Sequence, residues 1–221
     1  MTTRVAIADY GIGNLRSVSN AVAAVGACAD IVADPARLAD YDKLILPGVG
    51  AFADAAAQLH ASGMAAALSR LAAAGKPIMG ICLGMQLMCQ DSEEGGLHAG
   101  LGWFDAHVRR FPDRLGQKVP HIGWNDLRFA REHPVLQQLQ GNPDVYFVHS
   151  YRVEANDAVD VLAWCDYGEP FVAMIARDNL IGIQFHPEKS QRIGLQILRN
   201  FIEREVGSIP SARTVAEVCA C

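Results

Sequence analysis

Apolar residues along the chain come in short runs that end in glycine-rich turns, and each turn is followed by apolar positions at helical spacing. Val5 to Ala8 is the first run; Asp9-Tyr10-Gly11-Ile12-Gly13-Asn14 follows, then Leu15, Val18, Val22 and Val25 before Gly26. That order predicts a strand, a glycine loop, an amphipathic helix and a glycine just past its end. The pattern recurs. Ile31-Val32 and Lys43 to Leu46 predict strands, Pro47-Gly48-Val49-Gly50 a loop, and the alanine-rich stretch Phe52 to Ala74 a helix. Pro77 to Ile81 predicts a fourth strand that runs straight into Cys82 and a helix carrying Leu83, Leu87 and Met88. Four strands alternating with helices imply βαβ units and a parallel sheet. Every glycine loop follows a strand end, the edge at which open α/β sheets hold ligands.

Beyond Glu94-Gly95-Gly96 the texture changes. Trp103 to Phe111, Val119 to Phe129, Val145 to Tyr151, Val161 to Asp166 and Phe171 to Arg177 are short runs separated by turn residues, which predicts antiparallel strands laid against the parallel sheet. A turn at Asp178-Asn179 leads to Leu180–Phe185 and His186-Pro187-Glu188, and Ile193, Ile197, Phe201 and Ile202 mark a closing amphipathic helix. The expected fold is α/β: an open, mostly parallel sheet flanked by helices, with an added antiparallel layer. One domain is expected over residues 1–206, with a weakly patterned tail over 207–221.

Composition narrows the ligand class. Of 221 residues 51% are hydrophobic and the formal charge is −5, which excludes an intrinsically disordered chain. No apolar run reaches the roughly 18 residues of a membrane span. The slight acidity, with Arg109-Arg110 a rare basic pair, argues against nucleic acid. The N-terminus lacks a signal peptide's apolar region, so a cytoplasmic location is expected. The six cysteines form no C-x-x-C and the seven histidines no H-x-H or H-x-x-x-H, so neither a metal nor a cofactor is expected. Cys28, Cys89 and Cys165 read as small buried hydrophobes. Cys219-Ala-Cys221 has the form of a double prenylation signal but lacks a polybasic stretch, and reads as a disordered tail.

Cys82 is different. Gly80-Ile81-Cys82-Leu83-Gly84 sits where a strand turns sharply into a helix, the geometry of a nucleophile elbow with sulfur in place of serine oxygen. Small residues two positions to either side let strand and helix approach, and the amide of Leu83 points where an oxyanion would form. A thiol nucleophile needs a base and the base needs an orienting group; His186 and Glu188 supply both. In extended chain, residues two apart project to one side, about 6.5 Å apart, so Glu188 reaches one imidazole nitrogen while the other faces Cys82. Gly48, Val49 and Gly50 are the natural source of a second oxyanion donor. Gln86, one helical turn beyond Cys82, is expected to touch substrate, and His149-Ser150-Tyr151 to offer groups to an amino acid's ammonium and carboxylate.

Together these pieces resemble the class I, triad-type glutamine amidotransferases. Asp9 to Leu15, Leu46 to Phe52, Gly80 to Leu87, His121-Ile122-Gly123-Trp124-Asn125, Phe147 to Tyr151 and Gln184 to Ser190 are similar to the glutaminase subunits of imidazole glycerol phosphate synthase. The resemblance runs from about Val5 to about Ile202. It implies a flavodoxin-like fold, Cys82 as nucleophile, His186 as base and then acid, and Glu188 as the orienting group. It implies glutamine as substrate and a heterodimer with a (β/α)₈ barrel cyclase that uses the ammonia to make imidazole glycerol phosphate in histidine biosynthesis. Tyr10, Asn14, His121, Trp124, Asn125 and Lys189, polar or aromatic groups the triad does not require, are expected on the rim that meets the cyclase. Trp103-Phe104-Asp105-Ala106 departs from the family's usual aliphatic pair and Pro-Gly, and the tail has no counterpart. The competing readings are the glutaminase of another synthase and a non-catalytic flavodoxin-like binding module.

Overall fold

β1 (Val5–Ala8) is buried at all four positions, and its alternation sorts the interior into two faces. Val5 and Ile7 pack on one side with Val18, Val22, Ile197 and Phe201; Ala6 and Ala8 pack on the other with Phe52, Leu59 and Leu68. Strand residues two apart share a face, so the first face takes α1 (Leu15–Ala24) and the second takes α2 (Phe52–Ala61) and α3 (Met64–Ala73). The computed structural model describes residues 3–113 and 116–206. Gly26, at φ +85°, turns the chain out of α1 toward β2 (Ala29–Val32). β3 (Lys43–Gly48) and β4 (Ile78–Cys82) complete the first parallel set, and β4 passes without a loop into the short α4 (Leu83–Leu87).

The stretch predicted as one helix from Phe52 to Ala74 is two. Ser62 ends α2, and Gly63, at φ +78°, adopts a left-handed conformation that reverses the chain into α3.

The second half of the chain adds β5 (Asp91–Ser92), β6 (His98–Ala99), β7 (Ala106–Arg110), β8 (His121–Asp126), β9 (Arg128–Phe129), β10 (Asp144–His149), β11 (Tyr151–Ala155), β12 (Val161–Asp166), β13 (Pro170–Arg177) and β14 (Leu180–Ile183). Most of these strands do not form a layer against the parallel sheet. They continue it edge to edge, in the order β2-β1-β3-β4-β14-β13-β11-β7-β5-β6, with β12 and β9 branching from β13. The hinge of this arrangement is β14, parallel to β4 on one side and antiparallel to β13 on the other. Among the described residues the expected separate antiparallel layer is the pair β8 and β10.

α5 (Gln191–Glu203) closes the first face with Ile197, Leu198, Phe201 and Ile202 buried. Lys43 Nζ donates to the carbonyls of Phe201 (2.7 Å) and Arg204, groups that the end of a helix leaves unpaired. The atypical Trp103–Ala106 segment starts as irregular chain: Trp103 N–H donates to Met88 O (2.9 Å), its indole to Ser69 Oγ (3.1 Å), and Phe104 is fully buried. Residues 207–221, with Cys219 and Cys221, lie outside the described residues.

Candidate active site

Cys82 ends β4 with φ +55° and ψ −111°, a backbone conformation that side chains other than glycine rarely adopt. Strain of this kind persists only where the surroundings impose it. Here the neighbouring glycines do. A β-carbon on Gly80 would lie 2.7 Å from the carbonyl oxygen of Gly84, and one on Gly84 would overlap the carbonyl oxygen of Leu46 in β3. The turn therefore closes only with glycine at both positions, and it leaves the Cys82 thiol at the mouth of α4, facing a pocket.

His186 reaches the same pocket from β14. Its backbone N–H donates to Tyr146 O (3.0 Å), its carbonyl accepts from Ser190 Oγ (2.6 Å), and Ser190 Oγ in turn accepts from Tyr146 N–H (2.9 Å). Three bonds thus pin the residue between β10 and the start of α5. His186 Nδ1 lies 2.7 Å from Glu188 Oε1, and both side chains are buried. The sequence expectation placed this pair on extended chain; instead Pro187–Lys189 forms a 3₁₀ turn. The turn brings the two groups into direct contact. A carboxylate accepts, so Nδ1 carries hydrogen and Nε2 is left for the sulfur. Burial pushes the His186 imidazole down, but hydrogen bonds with Cys82 and Glu188, together with their negative charge, more than offset this and raise it to about 9.

The loop after β3 lies beside this pair because the β3–β4 register sets Gly48 opposite Cys82. A β-carbon on Gly48 would come 2.9 Å from Leu83 Cβ and from the Tyr10 hydroxyl oxygen, and Gly50 sits at φ +92°. The backbone at Gly48 therefore passes close to Leu83 and Gly84 at the start of α4, and Val49 and Gly50 continue from it into the lining of the pocket.

A pocket of about 340 Å³ is lined by Val49, Gly50, Cys82, Leu83, Gln86, His149, Ser150, Tyr151, His186 and Lys189, all candidates from the sequence. It also contains Glu94, Pro120 and Val148, which sequence reasoning missed. Glu94 lies just past β5, and its Oε2 accepts from Phe52 N–H (2.8 Å) at the start of α2. Gln86 is less free than expected: its Nε2 is 3.0 Å from both Tyr151 O and Gln184 Oε1. His149 Nδ1 donates to Tyr151 O (2.8 Å), which identifies it as a buried, internally bonded ring, and burial drives it down to about 3.

Two residues expected on a partner rim lie inside the chain. Tyr10 is 3% exposed and its hydroxyl donates to Pro47 O (2.9 Å), bracing the loop that precedes Gly48. His121 is 2% exposed, stacked between Phe147 and Tyr167 and bonded to His149 Nε2 through Nδ1 (3.0 Å). In both cases a polar atom satisfied internally was read from sequence as one seeking a partner. Asn14 and Lys189 are exposed, Trp124 is 47% exposed, and Asn125 is partly covered with Nδ2 donating to Asp166 O (2.8 Å). Trp124 meets Tyr146 edge-on, and Lys189 Nζ lies over the same Tyr146 ring, beside the pocket. Among the described residues no three His, Cys, Asp or Glu side chains could hold a metal ion, and no helix is long and apolar enough to cross a membrane.

The chain is similar to known proteins along most of its length. The profile of the family described as glutamine amidotransferase class-I matches residues 6–204. Imidazole glycerol phosphate synthase subunit HisH of Syntrophotalea carbinolica is 48% identical over 202 residues, covering 89% of this chain and 98% of that protein. The subunit of the same name from Aquifex aeolicus is 49% identical over 199 residues, covering 90% and 95%. Among solved structures, PurLQS from Thermotoga maritima superposes with a TM-score of 0.72 at 21% identity, covering 91% of this chain and 98% of that one. A crystal structure of a glutamine amidotransferase gives 0.71 at 20%, covering 90% and 97%. At that identity the structures speak for the fold alone. With the family profile spanning nearly the whole described chain and relatives near half identity along their full length, the chain belongs to the class I glutamine amidotransferases, in the family of imidazole glycerol phosphate synthase HisH subunits.

Proposed function

We propose that this chain hydrolyses glutamine to glutamate and ammonia and passes the ammonia to a cyclase subunit with which it forms a heterodimer. The observation that carries the reading is the meeting of a strained cysteine elbow, a carboxylate-held histidine and a glycine loop in one pocket.

The Cys82 thiolate attacks the side-chain amide carbon of glutamine, and the electron pair of the carbonyl moves onto oxygen. The Leu83 N–H and an amide from Val49 or Gly50 receive that charge. His186, protonated and held by Glu188, gives its Nε2 proton to the departing nitrogen, which leaves as ammonia with a thioester on Cys82. Water then attacks the thioester, His186 Nε2 takes the water's proton, and sulfur leaves as thiolate with glutamate as product. Among the described residues Glu94 is the carboxylate that lines the pocket; with Oε2 accepting from Phe52 N–H it is held in place to meet the α-ammonium of glutamine, and Ser150 and Tyr151 line the same pocket.

The partner is a (β/α)₈ barrel cyclase that incorporates the ammonia while forming imidazole glycerol phosphate, a cytoplasmic step of histidine biosynthesis. Asn14, Trp124, Asn125 and Lys189 form the rim toward it, with the partly exposed ring of Trp124 an aromatic anchor. The test is co-purification with the cyclase, followed by glutaminase assays of the chain alone and of the complex with its nucleotide ligand. Slow hydrolysis alone and faster hydrolysis in the liganded complex support the reading. A full rate in the isolated chain, unchanged by the cyclase, contradicts the coupling.

A further inference from the structure

The polarity of one buried amide beside the nucleophile can be worked out from a backbone carbonyl some way from it. A carbonyl oxygen only accepts, so the Tyr151 carbonyl fixes which end of Gln86 faces it: the nitrogen, at 3.0 Å. The same nitrogen lies 3.0 Å from the side chain of Gln184, which must therefore present its oxygen to Gln86. The amide nitrogen of Gln184 then points the other way. What it meets is Cys82 Sγ, at 3.8 Å. Gln184 is fully buried, so bulk solvent does not compete for that nitrogen.

We infer that Gln184 is a second hydrogen-bond donor to the Cys82 thiolate, locked in its donating orientation by Gln86, so that the sulfur charge is shared between this amide and His186. The inference rests on Cys82 being the nucleophile. Thiol sulfur is a weak acceptor and thiolate a much stronger one, so the contact tightens when Cys82 ionises. It slackens when sulfur gives its electron pair to the glutamine carbon, and it re-forms when the thioester breaks and sulfur leaves as thiolate. Gln184 neither gains nor loses a proton in the cycle. A neutral amide suits the position, because it favours the anion without competing with His186 for the proton. The same chain of bonds assigns Gln86 to orienting Gln184, beyond any contact it makes with substrate.

The experiment measures alkylation of Cys82 by iodoacetamide across pH in the full chain, following the Cys82 peptide by mass spectrometry so that exposed Cys28 does not contribute. Gln184→Met replaces the amide with an apolar side chain of similar length. A hydrogen bond to a charged group, weakened by sulfur and by length, is expected to move the alkylation midpoint up by about one pH unit and slow labelling below it about tenfold. Gln86→Met leaves the Gln184 amide in place but frees its orientation, and is expected to move the midpoint in the same direction by less. It also serves if Gln184→Met does not fold. An unmoved midpoint in the variants that fold overturns the inference, even where glutaminase activity falls, because a purely structural role would lower activity without changing ionisation. Wild-type chain in which a glutamine-analogue electrophile avoids Cys82 would instead overturn the assignment of the nucleophile itself.

Discussion

Replacing Gly84 with alanine attacks the elbow at its tightest point. The added β-carbon would overlap the carbonyl oxygen of Leu46 and lie 2.9 Å from its carbonyl carbon. A carbon and an oxygen in favourable contact sit about 3.3–3.6 Å apart, so α4 and β3 would have to separate. Neither can give easily: Leu46 is fully buried, and β3 is bonded to β1 on one side and β4 on the other. Overpacking between side chains costs about 1–3 kcal/mol, and a clash with fixed backbone belongs at or above the top of that range. For a chain of this size about 3 kcal/mol lowers Tm by roughly 6–12 °C. Gly75→Ala is the internal control, since nothing lies within 4 Å of its β-carbon and only its φ of +84° is strained. That strain costs about 1–2 kcal/mol. Thermal unfolding of the two variants beside wild type separates a close approach from backbone conformation alone, and glutaminase assays should show Gly84→Ala losing activity as Leu83 and residues 48–50 move apart. Equal melting of Gly84→Ala and Gly75→Ala would refute the packing argument for the elbow.

Cys82→Ser should abolish glutamine-dependent synthesis by the complex while leaving turnover on added ammonium salt intact; loss of both would point to a role for Cys82 in assembly. His186→Ala removes proton transfer, worth about 10²–10⁴-fold, and should cost more than Glu188→Gln, which loosens only tautomer and orientation; a loss under tenfold for His186→Ala would count against it. Stability should fall as pH drops from about 6.5 toward 4, because burial holds His121 and His133 near 4 and His149 near 3 in the folded chain while the unfolded chain takes up those protons at ordinary histidine pH. His186, raised to about 9, is protonated in both states over that window and adds no loss there; its contribution is lost instead as pH rises from 6.5 through 9. A Tm unchanged between pH 7 and 4.5 would exclude this account of the buried histidines.

Local pattern carried most of the first half of the chain. The strand, glycine turn and helix from Val5 to Gly26, the β3 and β4 runs, and the spacing of Ile197, Phe201 and Ile202 in α5 are each set by residues adjacent in sequence. The break at Gly63 was hidden because alanine favours helix throughout and supplies too little hydrophobic contrast to mark a face. β11 was missed for the opposite reason. Its Arg152 and Glu154 look like loop residues, and they form a strand because β7 lies alongside, setting Arg152 opposite Arg109 and Glu154 opposite His107. That pairing is long-range, as is the parallel joining of β14 to β4, which together with the β13–β14 hairpin made one sheet of most of what local texture suggested were two layers.

The candidate site divides in the same way. Cys82 and the His186–Glu188 pair are visible because elbow chemistry and H-P-E occupy consecutive positions. Glu94 arrives from a separate segment that no motif marks, and Gln184, although it opens the stretch that holds His186 and Glu188, gives no sign in the sequence that its amide reaches Cys82 Sγ. Tyr10 and His121 were misplaced because sequence shows that a side chain is polar but not whether a neighbour already satisfies it.

The central claim is that Cys82, and no other thiol, is the nucleophile toward glutamine. Cys89 offers a sharp comparison: it lies shortly after α4, fully buried, with burial driving its thiol far up and its Sγ turned to Met85 O (3.7 Å). Incubating the complex with a diazo-ketone analogue of glutamine and mapping the adduct by peptide mass spectrometry reads the claim directly. One adduct on Cys82, with protection by glutamine and loss of glutaminase activity in step with labelling, is the predicted result. An adduct on Cys89 or Cys28, or inactivation with Cys82 unmodified, would contradict it.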